Sequence, residues 1–355
     1  MIFIELLIAG LNATIEYASE HVLTCLVPAF FIAGAMSALI PKEKIIKYLG
    51  RDVPKYKAYP LAIIAGLLLA VCSCTVLPLF AGIKKNGAGI GPALAFLYTA
   101  PATNLLAITF TGSVLGWDFA LARILLSVTF AVLIGVIVAY IFRKDDILEE
   151  KRIHQSFISE KINHNKKVFF LEKYRLWILF ALLIGILVVG TRVSGLARYI
   201  WIGVLVLAVA VIFRLFFTRD ELKSWLFETW AFTRKIFPLL LAGIFAAGVL
   251  SALIPENFLA TVMGENTVFA NFIAVIFGVF MYFPTLVEVP MAKLFLGLGM
   301  AKGPLLAYLL ADPVISLASI LVIRKLIGNK KTLVYAGLII VFTTMSGLIY
   351  GYFIR

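Results

Sequence analysis

Gly87-Ala88-Gly89-Ile90-Gly91-Pro92-Ala93-Leu94-Ala95-Phe96-Leu97-Tyr98-Thr99-Ala100-Pro101 returns 212 residues later as Gly299-Met300-Ala301-Lys302-Gly303-Pro304-Leu305-Leu306-Ala307-Tyr308-Leu309-Leu310-Ala311-Asp312-Pro313, identical at seven of fifteen positions. Upstream, Ser37-Ala38-Leu39-Ile40-Pro41 reappears unchanged as Ser251-Ala252-Leu253-Ile254-Pro255, and Gly34 and Gly50 match Gly248 and Gly264, all at an offset of 214. The chain is therefore two copies of one plan. Proline-interrupted apolar segments at corresponding places in two copies point to a solute site near the middle of a bilayer.

Hydrophobic residues are 62% of the chain and charged residues 14%, against roughly half and a quarter in a soluble domain. Runs long enough to span, about 20 residues, fall near 22–40, 118–142, 176–191, 196–217, 236–254 and 332–354. A polytopic, all-α membrane protein follows, because spanning backbone must satisfy its own hydrogen bonds. The net charge of +13 does not indicate nucleic acid. Lys and Arg concentrate between apolar runs: six in 41–60, nine in 143–175, five in 214–235 and four in 324–331. Such clusters mark cytoplasmic loops. Met1 to Gly10 has no basic n-region, so no cleavable leader is expected.

With those loops inside, the first span of one copy runs inward and that of the other outward, so the repeats are expected to be inverted. Each motif region must then cross an odd number of times, which suits a re-entrant hairpin followed by a broken span. The hairpin tips are expected at Cys72–Pro78 and Pro284–Pro290, and the breaks at Pro101 and Pro313. The expected division is residues 1–142 for the first repeat, 143–175 for a basic cytoplasmic linker, 176–235 for two connecting helices with a basic loop, and 236–355 for the second repeat. His154 and His164 on the linker lack the convergent ligands a metal requires.

Cys72-Ser73-Cys74-Thr75-Val76-Leu77-Pro78 gathers two thiols, two hydroxyls and a proline that frees a carbonyl. Thiolates favour soft metals and metalloids, making Cys72 and Cys74 candidate contacts for such a solute. The second copy offers Pro284-Thr285-Leu286-Val287-Glu288-Val289-Pro290 instead. A carboxylate in the bilayer costs at least about 2.5 to 3.5 kcal/mol, so Glu288 needs a proton, Lys293 or a cationic solute to offset it. Asp312 is the second such carboxylate, and either could carry a coupling proton. Thr99, Pro101, Thr103, Asn104, Pro313 and Ser316 could complete a polar cavity with freed carbonyls, although membrane hydroxyls often bond only their own backbone. Cys25 reads as an apolar filler. Gly87 to Pro92 lacks the Lys-Ser/Thr ending of a phosphate loop, and no cofactor is expected.

The run Val71 to Pro78, with Lys84-Lys85-Asn86-Gly87-Ala88, Pro92 to Leu97 and Ala100-Pro101-Ala102-Thr103-Asn104, resembles the predicted permease family that includes ArsP-type organoarsenical efflux permeases. The resemblance covers nearly the whole chain. It implies a permease of the prokaryotic inner membrane, and its arsenical branch implies export of trivalent organic arsenicals recognised through thiols, here Cys72 and Cys74. A third thiol could come only from Cys25. Two other readings fit the same residues: a thiol redox protein served by a thioredoxin-like partner through Cys72 and Cys74, and a passive channel or membrane subunit. The hairpin topology predicts that cysteines substituted at Lys84 and Lys293 label from opposite faces of the membrane. Labelling of both from one face would refute it.

Overall fold

The computed structural model describes residues 2–17, 19, 27–39, 48–50, 53–68, 73–103, 105–146, 172–192, 196–251, 258–281, 283 and 285–353. Helix is the only regular structure among them. In chain order these helices are α1 (Ile2–Tyr17), α2 (Val27–Leu39), α3 (Lys55–Leu68), α4 (Ser73–Lys85), α5 (Ile90–Ala102), α6 (Leu105–Val114), α7 (Trp117–Ile141) and α8 (Glu172–Arg192). They continue as α9 (Leu196–Phe216), α10 (Arg219–Ser251), α11 (Phe258–Met263), α12 (Val268–Phe280), α13 (Thr285–Gly297), α14 (Lys302–Ala311), α15 (Leu317–Ile327) and α16 (Asn329–Phe353). Two of these, α7 and α16, are long and apolar enough to cross a membrane unbroken, and α5 with α6 forms a third such path bent by 41°.

The repeat governs helix limits as well as sequence. Shifted by 212, α7 has the bounds of α16 and α4 those of α13. Among the described residues, positive φ occurs at Gly87 (93°) and Gly299 (94°), and at Gly116 (109°) and Gly328 (89°), two pairs at the same offset. Gly87 and Gly299 end α4 and α13 in a left-handed turn that a Cβ would strain. Beyond each, a backbone bond closes the hairpin. Gly89 N–H donates to Leu49 O at 2.8 Å, and Ala301 N–H to Met263 O at 2.9 Å. The chain thus enters α3 and leaves α4 at one point, and likewise α12 and α13. The expected tips shift, however: Pro78 and Pro290 lie inside α4 and α13. Each is one to two turns in, where it removes a single ladder bond without ending the helix.

The motif helices occupy the centre. Every residue of α5 is buried, as is α14 from Gly303 to Ala311, as expected of helices apolar all round. α3 packs on α5 as α12 packs on α14, and α5 on α7 as α14 on α16. α4 touches α15 of the other copy, and α13 touches α6. α7 and α16 run antiparallel, with Phe119 against Tyr350 and Phe130 stacked on Phe342 at 5.4 Å. Outside the repeat, α8 pairs with α9 and touches α2, while α1 lies along α10. α10 is continuous across 235 and 236.

Glycines permit the closest crossings. A Cβ on Gly135 would stand 2.7 Å from Gly91 O, and one on Gly347 would stand 2.6 Å from Gly303 O. Gly347→Ala should therefore destabilise the protein by about 1–3 kcal/mol, the usual cost of overpacking. Gly337→Ala on the same helix, with nothing within 4 Å of its Cβ, should be neutral or gain up to about 1 kcal/mol. Thermal midpoints in detergent would separate the two variants, and equal midpoints would contradict the packing.

Candidate functional site

The deepest charged groups belong to different copies. Arg123, on the second turn of α7, and Glu288, on the first turn of α13, are both 0% exposed. Arg123 Nη2 lies 3.1 Å from Glu288 Oε1 and donates to Oε2 at 3.2 Å. Its Nε donates to Ala102 O at 2.9 Å and its Nη1 to Thr111 Oγ1 at 3.2 Å. Each acceptor has a structural origin. Ala102 is the last residue of α5, where the helix breaks and its carbonyls are left without ladder partners. Thr111 stands on α6, which packs against α13. Arg123 thus ties the break in one copy to the hairpin of the other.

Sequence reasoning missed Arg123 and named Lys293 as the protein counter-ion for Glu288. Lys293 is exposed, and the partner is Arg123. The available signal was a lone arginine inside a 25-residue apolar helix, a residue type that marks function in a membrane interior.

Asp312 follows α14 and is 3% exposed. Its carboxylate feels Glu288, Arg123 and the Phe283 backbone, yet neither oxygen completes a hydrogen bond among the described residues. The Tyr308 hydroxyl, with Asp312, Glu288 and Arg123 as electrostatic neighbours, is buried without a partner too. Pro313 cannot donate to Leu309 O, and Val314 N–H turns to Ala311 O at 3.0 Å instead of Leu310. The freed Leu310 carbonyl accepts from Tyr98 Oη at 3.4 Å. Tyr98 and Leu310 hold the same position in the two copies.

The other predicted residues divide clearly. Thr99 Oγ1 donates to Ala95 O at 2.9 Å and Thr103 Oγ1 to Thr99 O at 2.9 Å, each within its own helix. Ser316 caps α15 reciprocally with Ser319. Each of these three hydroxyls is thus engaged locally. Thr75 is buried on α4. Pro101 lies inside the last turn of α5. Cys25, Cys72, Asn104 and Pro284 lie outside the described residues, as do His154 and His164. Ser73, Cys74 and Thr285 begin α4 and α13, and only their backbone is described. Among the described residues no group of three His, Cys, Asp or Glu could hold a metal.

A second polar cluster closes the end bearing the basic loops. Lys84 Nζ lies 3.6 Å from Asp146 Oδ1 and donates to Ala88 O at 3.2 Å, while Ile90 N–H donates to Asp146 Oδ2 at 3.2 Å. Lys85 pairs with Glu228, which also accepts from Ser37 Oγ at 3.2 Å. These bonds join α2, α4 and α10.

A helical bundle with a twice-broken apolar core and charges sealed between its halves is the architecture of a membrane permease. Residues 7–352 match the family described as a predicted permease, and the chain belongs to that family. It is 38% identical to the UPF0718 protein MJ0584 of Methanocaldococcus jannaschii over 349 residues, 97% of this chain and 96% of that one. It is 24% identical to the UPF0718 protein YraQ of Escherichia coli K12 over 344 residues, 96% and 80% of the two chains. No solved structure matches it.

Removing one member of a buried ion pair strands the other charge, at about 3–5 kcal/mol, whereas replacing both with apolar groups is often neutral. Arg123→Leu should accordingly lower the thermal midpoint strongly, and Arg123→Leu/Glu288→Leu should recover most of the loss. Additive losses would show that the two side chains do not depend on each other.

Proposed function

We propose that this permease exports a small soft or thiol-reactive solute, of the kind represented by a trivalent organoarsenical, across a prokaryotic inner membrane, with a proton moving in exchange. The observation that carries the exchange is Asp312. A carboxyl group shut away from water and set near both a carboxylate and a guanidinium is suited to gaining and losing a proton. Glu288 is held by Arg123 and is less free to do so, which favours Asp312 as the carrier.

In this reading the repeats lie inverted in the membrane, with the basic clusters at 41–60, 143–175, 214–235 and 324–331 inside. Support comes from the antiparallel α7 and α16 and from the hairpins closed at Gly89 and Ala301. Both hairpins then dip to the midplane from opposite faces. The first brings Cys72, Ser73 and Cys74 there to take the solute, and the second brings Pro284, Thr285 and Glu288. Alternating access follows from movement of one hairpin and its broken span against the other around that site. The polar cluster of Lys84, Lys85, Asp146 and Glu228 closes the cytoplasmic side.

Everted vesicles given a trivalent organoarsenical and an imposed pH gradient test this. Uptake should exceed that of empty vesicles, fall at least tenfold in Cys72→Ser/Cys74→Ser, and lose its gradient dependence in Asp312→Asn. Uptake indifferent to the thiols would remove the soft solute. Uptake in Asp312→Asn that still follows the gradient would remove Asp312 as carrier.

A further inference from the structure

At the end of the molecule bearing the basic loops, α4, α10 and α15 meet, each packed against the other two. α4 comes from the first copy and α15 from the second, and α10 leads into the second. Distances fix which ends converge. Lys84, in the last turn of α4, lies 3.6 Å from Asp146, whose N–H donates to Phe142 O at 3.1 Å. Lys331, three residues beyond the Gly328 that ends α15, holds its Nζ 6.0 Å from the centre of the Phe142 ring. The last turns of α4 and α15 therefore neighbour one short segment, 142–146.

Lys85, the final residue of α4, pairs with Glu228 and stands over the Phe232 ring, its Nζ 5.8 Å from the ring centre. Glu228, Phe232 and Lys235 recur at i, i+4 and i+7, on one side of α10. Lys235 thus sits one turn beyond the Lys85 contact. A Cβ on Gly243 would stand 2.6 Å from that of Ala318, so α10 and α15 cross there. The two helices run antiparallel, because α15 ends where α10 carries Glu228. Seven residues back along α10 and seven forward along α15, about 10 Å on each, Ile236 and Lys325 come level. Lys325 and Lys85 are accordingly the cations that Lys235 feels.

Three ammonium groups converge here on one described carboxylate. Glu228 is already taken by Lys85 and by Ser37 Oγ, and Arg324 turns away to Asn329 Oδ1 at 2.7 Å. Among the described residues Lys235 and Lys325 complete no hydrogen bond and no ion pair. Their depth identifies what can join them. Phe227 and Trp230, about 7 to 12 Å nearer the start of α10, are 70% and 65% exposed. Large aromatic rings left open in this way mark the boundary between membrane and water. Lys235 lies on the apolar side of them, where the anions within reach of an ammonium are lipid phosphates. Basic pockets between membrane helices recruit such headgroups.

We propose that Lys85, Lys235 and Lys325 bind the phosphate of an anionic phospholipid at the junction of α4, α10 and α15. The headgroup offsets the excess positive charge, and the acyl chains run along α10 toward the bilayer interior. Lys85 ends the hairpin of the first copy and Lys325 lies in the last turn of a second-copy helix, so a bound headgroup ties the two copies together at this end.

Native mass spectrometry of the full-length protein in detergent tests the site with phosphatidylglycerol, phosphatidylcholine and inorganic phosphate. Phosphatidylglycerol should bind at least tenfold more tightly than phosphatidylcholine. Lys235→Gln/Lys325→Gln should lose at least tenfold of that affinity. Lys293→Gln/Lys302→Gln, an equal loss of charge at exposed positions on α13 and α14, should bind as wild type does. Equal binding of the two lipids, wild-type affinity in Lys235→Gln/Lys325→Gln, or the same fall in both variants would overturn the site. Displacement of phosphatidylglycerol by millimolar inorganic phosphate would make the ligand a free anion and overturn the lipid.

Discussion

A guanidinium and a carboxylate sealed from water hold the two halves of this protein in register. Burying either charge alone is prohibitive, and burying both is tolerable only when the remaining donors are satisfied. Arg123 meets that condition with three separate acceptors, the Ala102 carbonyl, the Thr111 hydroxyl and Glu288. Those acceptors fix the break after α5, the position of α6 and the first turn of α13 relative to one another. Any movement of one copy against the other must carry this pair along or hand its charges to new partners. The pair thus constrains any relative motion of the two copies as well as the resting fold.

The broken helices are less polar than their prolines suggest. Most groups released by the breaks are taken up at once. Ser316 and Ser319 cap α15, and Ala311 O receives both Val314 and Ile315 N–H groups. The local chemistry of each break is nearly closed, which is what an apolar environment demands. Among the described residues, the Asp312 carboxylate and the Tyr308 hydroxyl beside the second break are buried polar groups that complete no hydrogen bond.

Features with local consequences could be read from the chain. Apolar run length gave the helical membrane class. The recurrence of Gly87 as Gly299 was visible as a repeat identity, and the structure makes both of them the left-handed ends of α4 and α13. Glu288 and Asp312 stood out as carboxylates in apolar runs. The partner of Glu288 could not be read, because it lies 165 residues away and the contact exists only once α7 and α13 are placed. Lys293 was the nearer cation in sequence and the wrong one in space. Thr99, Thr103 and Ser316 were legible as polar groups beside the breaks, but the local bonds of their hydroxyls to backbone and cap appear only in the folded helices.

Phe130 stacks on Phe342, and Tyr98 bonds to Leu310 O. Each contact joins a position to its own repeat equivalent, as happens where a two-fold axis passes between identical surfaces. A half-length chain carrying one copy would present that surface to a second chain like itself and close as a homodimer. Such a dimer could not place arginine at one site and tyrosine at its mate. Here, at the shared offset, Arg123 corresponds to Tyr335, Val76 to Glu288 and Ala100 to Asp312. With both copies in one polypeptide the two need not be the same, so a repeated scaffold carries a polarity of its own.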